Sequence, residues 1–138
     1  MKIVIDSNIL FSALIKDSKT REIILRYEDF FLFPSFVYIE MEKHKKTLLK
    51  KSKMNEKEFY ELFQLILRKV LIVPNHTLLP FRKKAFDIVK EIDPDDVLFF
   101  ACTLAYDNCI LWSNDKKMKN QTKVKVLNTQ EIIKLFEN

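Results

Sequence analysis

The feature that most constrains the fold is a series of short apolar runs separated by segments with helical periodicity. Each run is about four residues long and rich in β-branched or aromatic residues, as in Lys2–Ile5 and Val70–Val73. Strands that are buried on both faces have this continuous apolar character, because helices cover both sides of a parallel sheet. The alternation of strands with helices therefore predicts a three-layer α/β/α fold around a central parallel sheet of about five strands.

The chain is long enough to bury a core of its own, so we expect a single domain over residues 1–138. The predicted strands are residues 2–5, 30–33, 70–73, 109–112 and 124–127. The predicted helices are residues 8–15, 20–27, 36–50, 56–69, 80–91, 94–106 and 131–136. The predicted helix-capping residues are Asp6 or Ser7, Ser35, Asn55 with Glu58, Asp93, and Thr129. The aromatic residues of Phe30–Phe33, Phe99, Phe100 and Trp112 should be core.

The chain contains no glycine. A Walker loop, a dinucleotide-binding GxGxxG turn and the nucleophile elbow of α/β-hydrolases all need backbone conformations that glycine adopts most easily. Nucleotide-cofactor and lipase-like functions are therefore excluded.

The formal net charge is +5, with 24 lysine and arginine residues, which favours a polyanionic partner such as nucleic acid. The first residues reach a charge too early for a signal peptide, and no apolar run is long enough to span a membrane, so we expect a cytoplasmic protein with no membrane partner. Cys102 and Cys109 lie in apolar surroundings without metal-ligand spacing, which is typical of reduced packing residues.

Acidic residues stand where two of the predicted strands end. Asp6 ends the first strand, and Asp115 lies three residues beyond the fourth. If the strand order is 3-2-1-4-5, these strands are neighbours, and both acids face the crevice where the order reverses. Asp96, before the fourth strand, and Glu40, in the helix after the second, can reach the same edge. We therefore expect four carboxylates to converge from four parts of the chain.

Asp96 belongs to a stretch, Asp93-Pro94-Asp95-Asp96, that carries three acids in four residues. Asp93 is better placed as a helix cap before Pro94 than as a metal ligand, and Asp95 is a spare acid of the first turn. Asp96 suits either a capping role or a ligand role.

Converging carboxylates repel one another unless a cation offsets their charge. Carboxylates and water suit Mg²⁺ or Mn²⁺, which lower the pKa of bound water and neutralise charge on a phosphoryl oxygen. Together with the basic composition, such a site predicts metal-dependent hydrolysis of a phosphodiester.

The sequence resembles PIN-domain ribonucleases, the fold of VapC-type toxins of bacteria and archaea. The resemblance covers essentially the whole chain and rests on four motifs in order, residues 5–10, 34–40, 95–101 and 111–116. It implies an Mg²⁺- or Mn²⁺-dependent endoribonuclease. The implied catalytic and metal-binding acids are Asp6, Glu40, Asp96 and Asp115, and Asp93 stays open as an alternative further ligand.

The resemblance also implies supporting residues. Asn8 would hydrogen-bond the first acid, and Ser113 or Asn114 would shape the last loop. Many relatives carry a further acid two residues after the fourth, where this chain has Lys117, and this lysine would weaken a second metal site. A toxin would have an antitoxin protein as partner and could form a homodimer.

The lysines assigned to RNA contact are Lys43, Lys46, Lys50 and Lys116. For the first three, a solvated helix face remains the alternative, and His44 beside them is a surface or phosphate-contacting residue rather than a metal ligand. Two other functions stay open. One is a catalytically silent PIN-like module for RNA binding or assembly, which Lys117 favours. The other, a receiver-like phosphoacceptor domain, is disfavoured because its acids would cluster after the first strand.

Overall fold

The computed structural model describes residues 1–137. Five parallel strands form one sheet in the order β3-β2-β1-β4-β5. The strands are Lys2–Ile5 (β1), Phe31–Pro34 (β2), Val70–Val73 (β3), Cys109–Trp112 (β4) and Val126–Leu127 (β5). The predicted α/β class, the parallel sheet and the strand order 3-2-1-4-5 are confirmed.

Eight α-helices connect or follow these strands within the described residues. They are Ser7–Ile15 (α1), Lys19–Arg26 (α2), Val37–Ser52 (α3), Glu56–Leu67 (α4), Asn75–Leu78 (α5), Arg82–Val89 (α6), Val97–Leu104 (α7) and Thr129–Glu137 (α8). Three 3₁₀ turns accompany them at Leu79–Phe81, Pro94–Asp96 and Lys116–Lys119. No helix among residues 1–137 is both long enough and apolar enough to cross a bilayer.

Two groups of helices flank the sheet. Helices α1 to α4 contact one another, and α4 also contacts β3. Helix α7 lies against β1, β2 and β4 and packs on α5 and α6. The predicted core aromatics of β2, α7 and β4 are buried, but Phe30 is 52% exposed, so its assignment to the core is wrong. The strand begins one residue later, after the Asp29 carboxylate accepts a hydrogen bond from the Phe30 amide.

The helix caps predicted at Ser35 and Thr129 are wrong because both residues hydrogen-bond to residues of other elements. Ser35 donates from its backbone amide to the Val73 carbonyl and is tied by its hydroxyl to Asn75, so α3 begins only at Val37 and has no side-chain cap. At α8 the cap is Asn128, whose side chain accepts from the Glu131 amide at 2.9 Å. The capping box of Asn55 and Glu58 and the cap at Asp6 are confirmed.

The fifth strand is shorter than predicted. The Gln121 side chain accepts from the Val124 amide and donates to the Val124 carbonyl, both at 2.8 Å. This closes a bend, so only Val126 and Leu127 join the ladder of β4.

The helix predicted over residues 80–91 is also divided. Helix α5 comes earlier, a 3₁₀ turn contains Pro80, and α6 ends at Val89, where the amides of Ile92 and Asp93 turn back to the Val89 carbonyl. The predicted helix over residues 94–106 is a 3₁₀ turn followed by α7, which ends at Leu104.

The register of the central strands brings their carboxyl ends level. Ile5 of β1 pairs with Trp112 of β4, and the Asp6 amide donates to the Trp112 carbonyl at 3.3 Å. The residues that follow both strands therefore leave the sheet side by side, where the strand order reverses.

Candidate metal centre

A cavity of about 190 Å³ opens at this edge of the sheet. Its lining comes from the loops after β1 and β4, the start of α3 and the turn before α7. The lining residues are Asp6, Ser7, Asn8, Phe36, Glu40, Asp93, Asp95, Asp96, Phe99 and Asp115. All four acids expected to converge line it, and so do Asp93 and Asp95.

Asp6 is the most buried acid of the cavity and is held by the helix that it caps. Its Oδ1 accepts from the Ile9 amide at 2.9 Å, and only 9% of the residue is exposed. Burial raises the pKa of Asp6, and hydrogen bonds from the Ser113 hydroxyl and the Ile9 and Asn8 amides oppose that rise. The supporting role of Asn8 stays a prediction. Asp6 is held in place before any ligand arrives.

Asp115 sits on a loop that is pinned to the core at both ends. The Trp112 indole donates to the Thr129 hydroxyl at 3.1 Å, and the Asn114 side-chain oxygen accepts from the Thr129 amide and hydroxyl. The Ser113 hydroxyl accepts from the Asp115 amide at 3.2 Å. The Ser-Asn-Asp loop is therefore built from side-chain hydrogen bonds, in a chain that has no glycine for a tight turn.

Asp93 and Asp96 divide the roles expected of the acidic stretch. Asp93 caps the 3₁₀ turn, since its Oδ1 accepts from the Asp95 amide at 3.1 Å. Asp96 occupies the N-cap position of α7, but its side chain makes no capping hydrogen bond there. Its carboxylate is left to face the cavity.

The environment of Asp96 strongly favours its neutral form. Burial, followed by the charges of Asp93, Asp6, Asp115 and Asp95, raises its pKa to about 7. A carboxylic acid that is half-protonated at neutral pH among other carboxylates is expensive to ionise, and strongly shifted groups of this kind gather at functional sites.

Glu40 reaches the cavity from the first turn of α3. The Nε2 atom of His44, one turn later on α3, lies 3.5 Å from its Oε2 atom. The His44 ring packs against Phe11 with 5.0 Å between ring centroids. Sequence reasoning placed His44 on the surface, but the i, i+4 spacing of Glu40 and His44 would have indicated this contact. His44 therefore fixes a cavity acid rather than standing alone.

The most closely spaced acids are Asp93, Asp96 and Asp115. Each offers a carboxylate oxygen that lies within 4.8 Å of the others. Asp6 and Glu40 line the same cavity outside this close group. The acid that sequence reasoning favoured as a cap, Asp93, thus also stands among the possible ligands, because a cap uses only one of its two oxygens.

The donor set fits a hard divalent cation. The cavity offers carboxylate oxygens, and no histidine or cysteine among the described residues lines it. Oxygen-only sites with several charges suit Mg²⁺, Mn²⁺ or Ca²⁺ rather than Zn²⁺, and a bound cation would stabilise the ionised form of Asp96.

The lysines assigned to RNA lie at different distances from the cavity. Lys116 directly follows Asp115 and lines an adjoining polar cavity of about 540 Å³ with Ser113 and Asn114. Lys43 and Lys46 are exposed on α3. Lys50 lies on the same helix about 15 Å from Glu40, at 1.5 Å per residue. The Lys117 amide donates to the Asp115 Oδ1 at 3.1 Å, and its side chain is exposed.

Comparison with protein families identifies a family. The model of the PIN domain matches residues 4–135, which is nearly the whole chain. PIN domains are generally nucleases that use divalent metals. Comparison with curated proteins finds no significant match.

Proposed function

We propose that this chain, which belongs to the PIN-domain family, is an endoribonuclease that hydrolyses RNA phosphodiester bonds with Mg²⁺ or Mn²⁺. The observation that carries the proposal is the meeting of acids from four separate loops and helices in one cavity, with the pKa of Asp96 raised to about 7. Capping accounts for one oxygen each of Asp6, Asp93 and Asp115. No hydrogen bond among the described residues accounts for the Asp96 carboxylate, which lies beside these charges without a capping role.

The cation would be held by Asp96 and Asp115 with Asp93, the acids that lie closest together. Asp6 and Glu40 complete the acidic lining. A bound divalent cation supplies Lewis-acid polarisation of a phosphoryl oxygen and a lower pKa for the attacking water.

The chain itself supplies orientation. The hydrogen bonds from Ile9 and Ser113 hold the Asp6 carboxylate in one position, and the Ser113 hydroxyl also fixes the Asp115 backbone. Because these groups are placed before the substrate binds, little reorganisation is needed when the water and the scissile phosphate enter.

The direct test is cleavage of a mixed pool of single-stranded RNA by the purified protein, with Mg²⁺, with Mn²⁺ and with a chelator. We expect cleavage in at least one metal, none with the chelator, and none from the double variant Asp6→Asn/Asp115→Asn. The matched control is Asp107→Asn, which removes one charge from an exposed loop at the opposite edge of the sheet. Cleavage by the folded double variant at the wild-type rate would disprove the assignment.

A more specific form of the proposal is that the protein is the toxin of a toxin–antitoxin pair, with an antitoxin protein as inhibitor and a second copy of the chain as partner. The resemblance to VapC-type toxins supports it. Expression of the wild-type chain should then arrest growth, whereas the Asp6→Asn/Asp115→Asn variant should not. Harmless expression of an enzyme that is active in vitro would instead indicate a processing nuclease.

The second candidate function is a catalytically silent RNA-binding or assembly module. Lys117 favours it, because a lysine stands where many relatives have another acid. This function predicts RNA binding without hydrolysis in either metal. A Lys117→Asp variant that gains metal-dependent cleavage would show that the lysine is what silences the site.

A further inference from the structure

A second cavity adjoins the acidic one on the side of α6. It has a volume of about 430 Å³, within the usual range of small-ligand clefts. It lies between α6 and the start of α7, and its lining residues are Arg82, Lys83, Phe86, Pro94, Asp95, Val97 and Leu98. Its α6 side carries two cations and an aromatic ring, and its α7 side carries apolar residues and Asp95.

The α6 side combines positive charge with an exposed ring. Phe86 is 46% exposed, although the other face of α6 buries Ala85 and Val89. Arg82 and Lys83 precede it by four and three residues, so all three side chains lie on neighbouring positions of one helix surface. Within residues 1–137 neither cation forms a salt bridge, because Asp87, the acid of α6, pairs with Lys90 at 3.8 Å.

The two cavities adjoin at Asp95. Asp95 lines both of them, and the next residue, Asp96, belongs to the close group of acids. A bound RNA strand that passes over Asp95 and Pro94 would therefore run from the proposed site of hydrolysis to the ring of Phe86 and to the two cations, Arg82 and Lys83.

We propose that this second cavity binds the substrate strand beside the scissile phosphate, with a base stacked on Phe86 and the backbone phosphates held by Arg82 and Lys83. The proposal rests on RNA being the substrate, as above. A cavity that binds in this way would select single strands, because the face of a base can contact an aromatic side chain only when the base is unstacked from its neighbours. An aromatic ring beside cationic side chains is the combination that single-strand binding sites use.

The test measures binding rather than cleavage, so that it does not depend on hydrolysis. The background is Asp115→Asn, and the probe is a short fluorescein-labelled single-stranded oligoribonucleotide, followed by anisotropy. Adding Phe86→Ala should weaken binding roughly tenfold, the usual order for loss of one base stack. The matched control, Phe30→Ala, removes a similarly exposed ring at the amino ends of the strands and should change nothing.

The charges are tested on the same helix. Arg82→Ala and Lys83→Ala should each weaken binding and lower the slope of log affinity against log salt by about one. Lys84→Ala removes the same charge one residue further along, where the side chain is exposed but does not line the cavity. It should have a clearly smaller effect.

An abasic scan identifies the stack itself. Probes with one base removed at successive positions should bind more weakly at one register, and Phe86→Ala should abolish that dependence. Equal binding of the Phe86→Ala and parent proteins, equal affinity for duplex and single strand, or no RNA binding at all would overturn the proposal. The proposed nuclease function is judged separately, by metal-dependent cleavage with the wild-type chain.

Discussion

The strands begin at one side of the sheet, the amino edge, and end at the other, the carboxyl edge. The loops at these two edges differ in how they are held together. At the amino ends, hydrogen bonds close the loops. The Lys2 amide donates to the Asn108 carbonyl at 3.0 Å, the Phe31 amide donates to the Lys69 carbonyl at 2.8 Å, and the Lys69 ammonium donates to the Tyr27 carbonyl. At the carboxyl ends, the loops present carboxylates to one another.

The two edges also differ in the surroundings of their charged side chains. At the amino edge the Lys2 ammonium rests 5.6 Å from the centre of the Tyr106 ring, a favourable contact. At the carboxyl edge, burial and the negative charges of four other aspartates raise the pKa of Asp96 to about 7. Repulsion of this kind is typical of ligand-binding and catalytic sites, and among the described residues the amino edge has no comparable group of acids.

The largest expected effect is on cleavage and should be confined to the carboxyl edge. Asp96→Asn and Asp115→Asn should each lower the rate of RNA cleavage by about 100- to 1,000-fold, because each removes one of the closest metal-facing carboxylates. Asp107→Asn at the amino edge should retain the wild-type rate. Rates under single-turnover conditions give the comparison, and equal losses at both edges would contradict the division.

The next effect is stabilisation by metal. A cation present at about 100 times its Kd should add about 2.7 kcal/mol to the free energy of unfolding, which raises the Tm by several degrees. The rise should disappear with a chelator and in Asp96→Asn, but should persist in Asp107→Asn. Thermal unfolding followed by circular dichroism measures it. A metal-induced rise that survives Asp96→Asn would place the cation elsewhere.

The third effect is on the pH dependence of the metal-free fold. The pKa of Asp96 is about 7 in the folded protein and near 3.8 in the unfolded chain, so the folded state holds the proton more tightly between these values. The free energy of unfolding should therefore fall as the pH rises from about 4 to 7 and stay low above that. The raised pKa of Asp6 acts in the same direction.

Asp96→Asn tests this sign. In a chelator it should raise the Tm near pH 8 by a few degrees and flatten the decline between about pH 4 and 7, because the amide has no charge to bury. The wild-type chain measured alongside is the reference. A variant that is less stable than the wild type at pH 8 would mean that the Asp96 carboxylate has a structural partner.

The smallest effect belongs to the amino edge. Asn108 has a φ of 50°, in the left-handed region that asparagine tolerates better than alanine. Asn108→Ala should cost about 1 kcal/mol of stability, whereas Asn108→Gly should not. Chemical denaturation measures both. RNA cleavage at low temperature should be unchanged in either variant, and a loss of cleavage there would break the separation of the two edges.

Much of the fold was predictable because the apolar runs are short and clearly bounded. Four of the five strands and the capping box of α4 follow from local pattern. The failures have two causes. Ser35 and Thr129 bond to residues from other elements, which sequence spacing does not reveal. Phe30 and Val124 are held by nearby side chains, Asp29 and Gln121, that compete with the strand.

The candidate site was less predictable than the fold. That acids follow the strands could be seen in the sequence, and the strand order then places Asp6 beside Asp115. That Asp93 keeps one oxygen for the cap of the 3₁₀ turn while standing within 4.8 Å of Asp96 and Asp115 depends on how that turn packs. The i, i+4 spacing of Glu40 and His44 indicates their contact, but the packing of the His44 ring against Phe11 is visible only in the structure.

The sequence by itself determined the chemistry available to this protein: a parallel sheet, carboxylates at strand ends, and no glycine loop for a nucleotide. The tertiary structure alone decided which carboxylates lie close enough to share a cation, and which basic and aromatic side chains border them. The physical reason is that hydrophobic patterning sets the strands and their faces, whereas distances of a few Å between side chains arise only when helices from distant parts of the chain pack on the same edge.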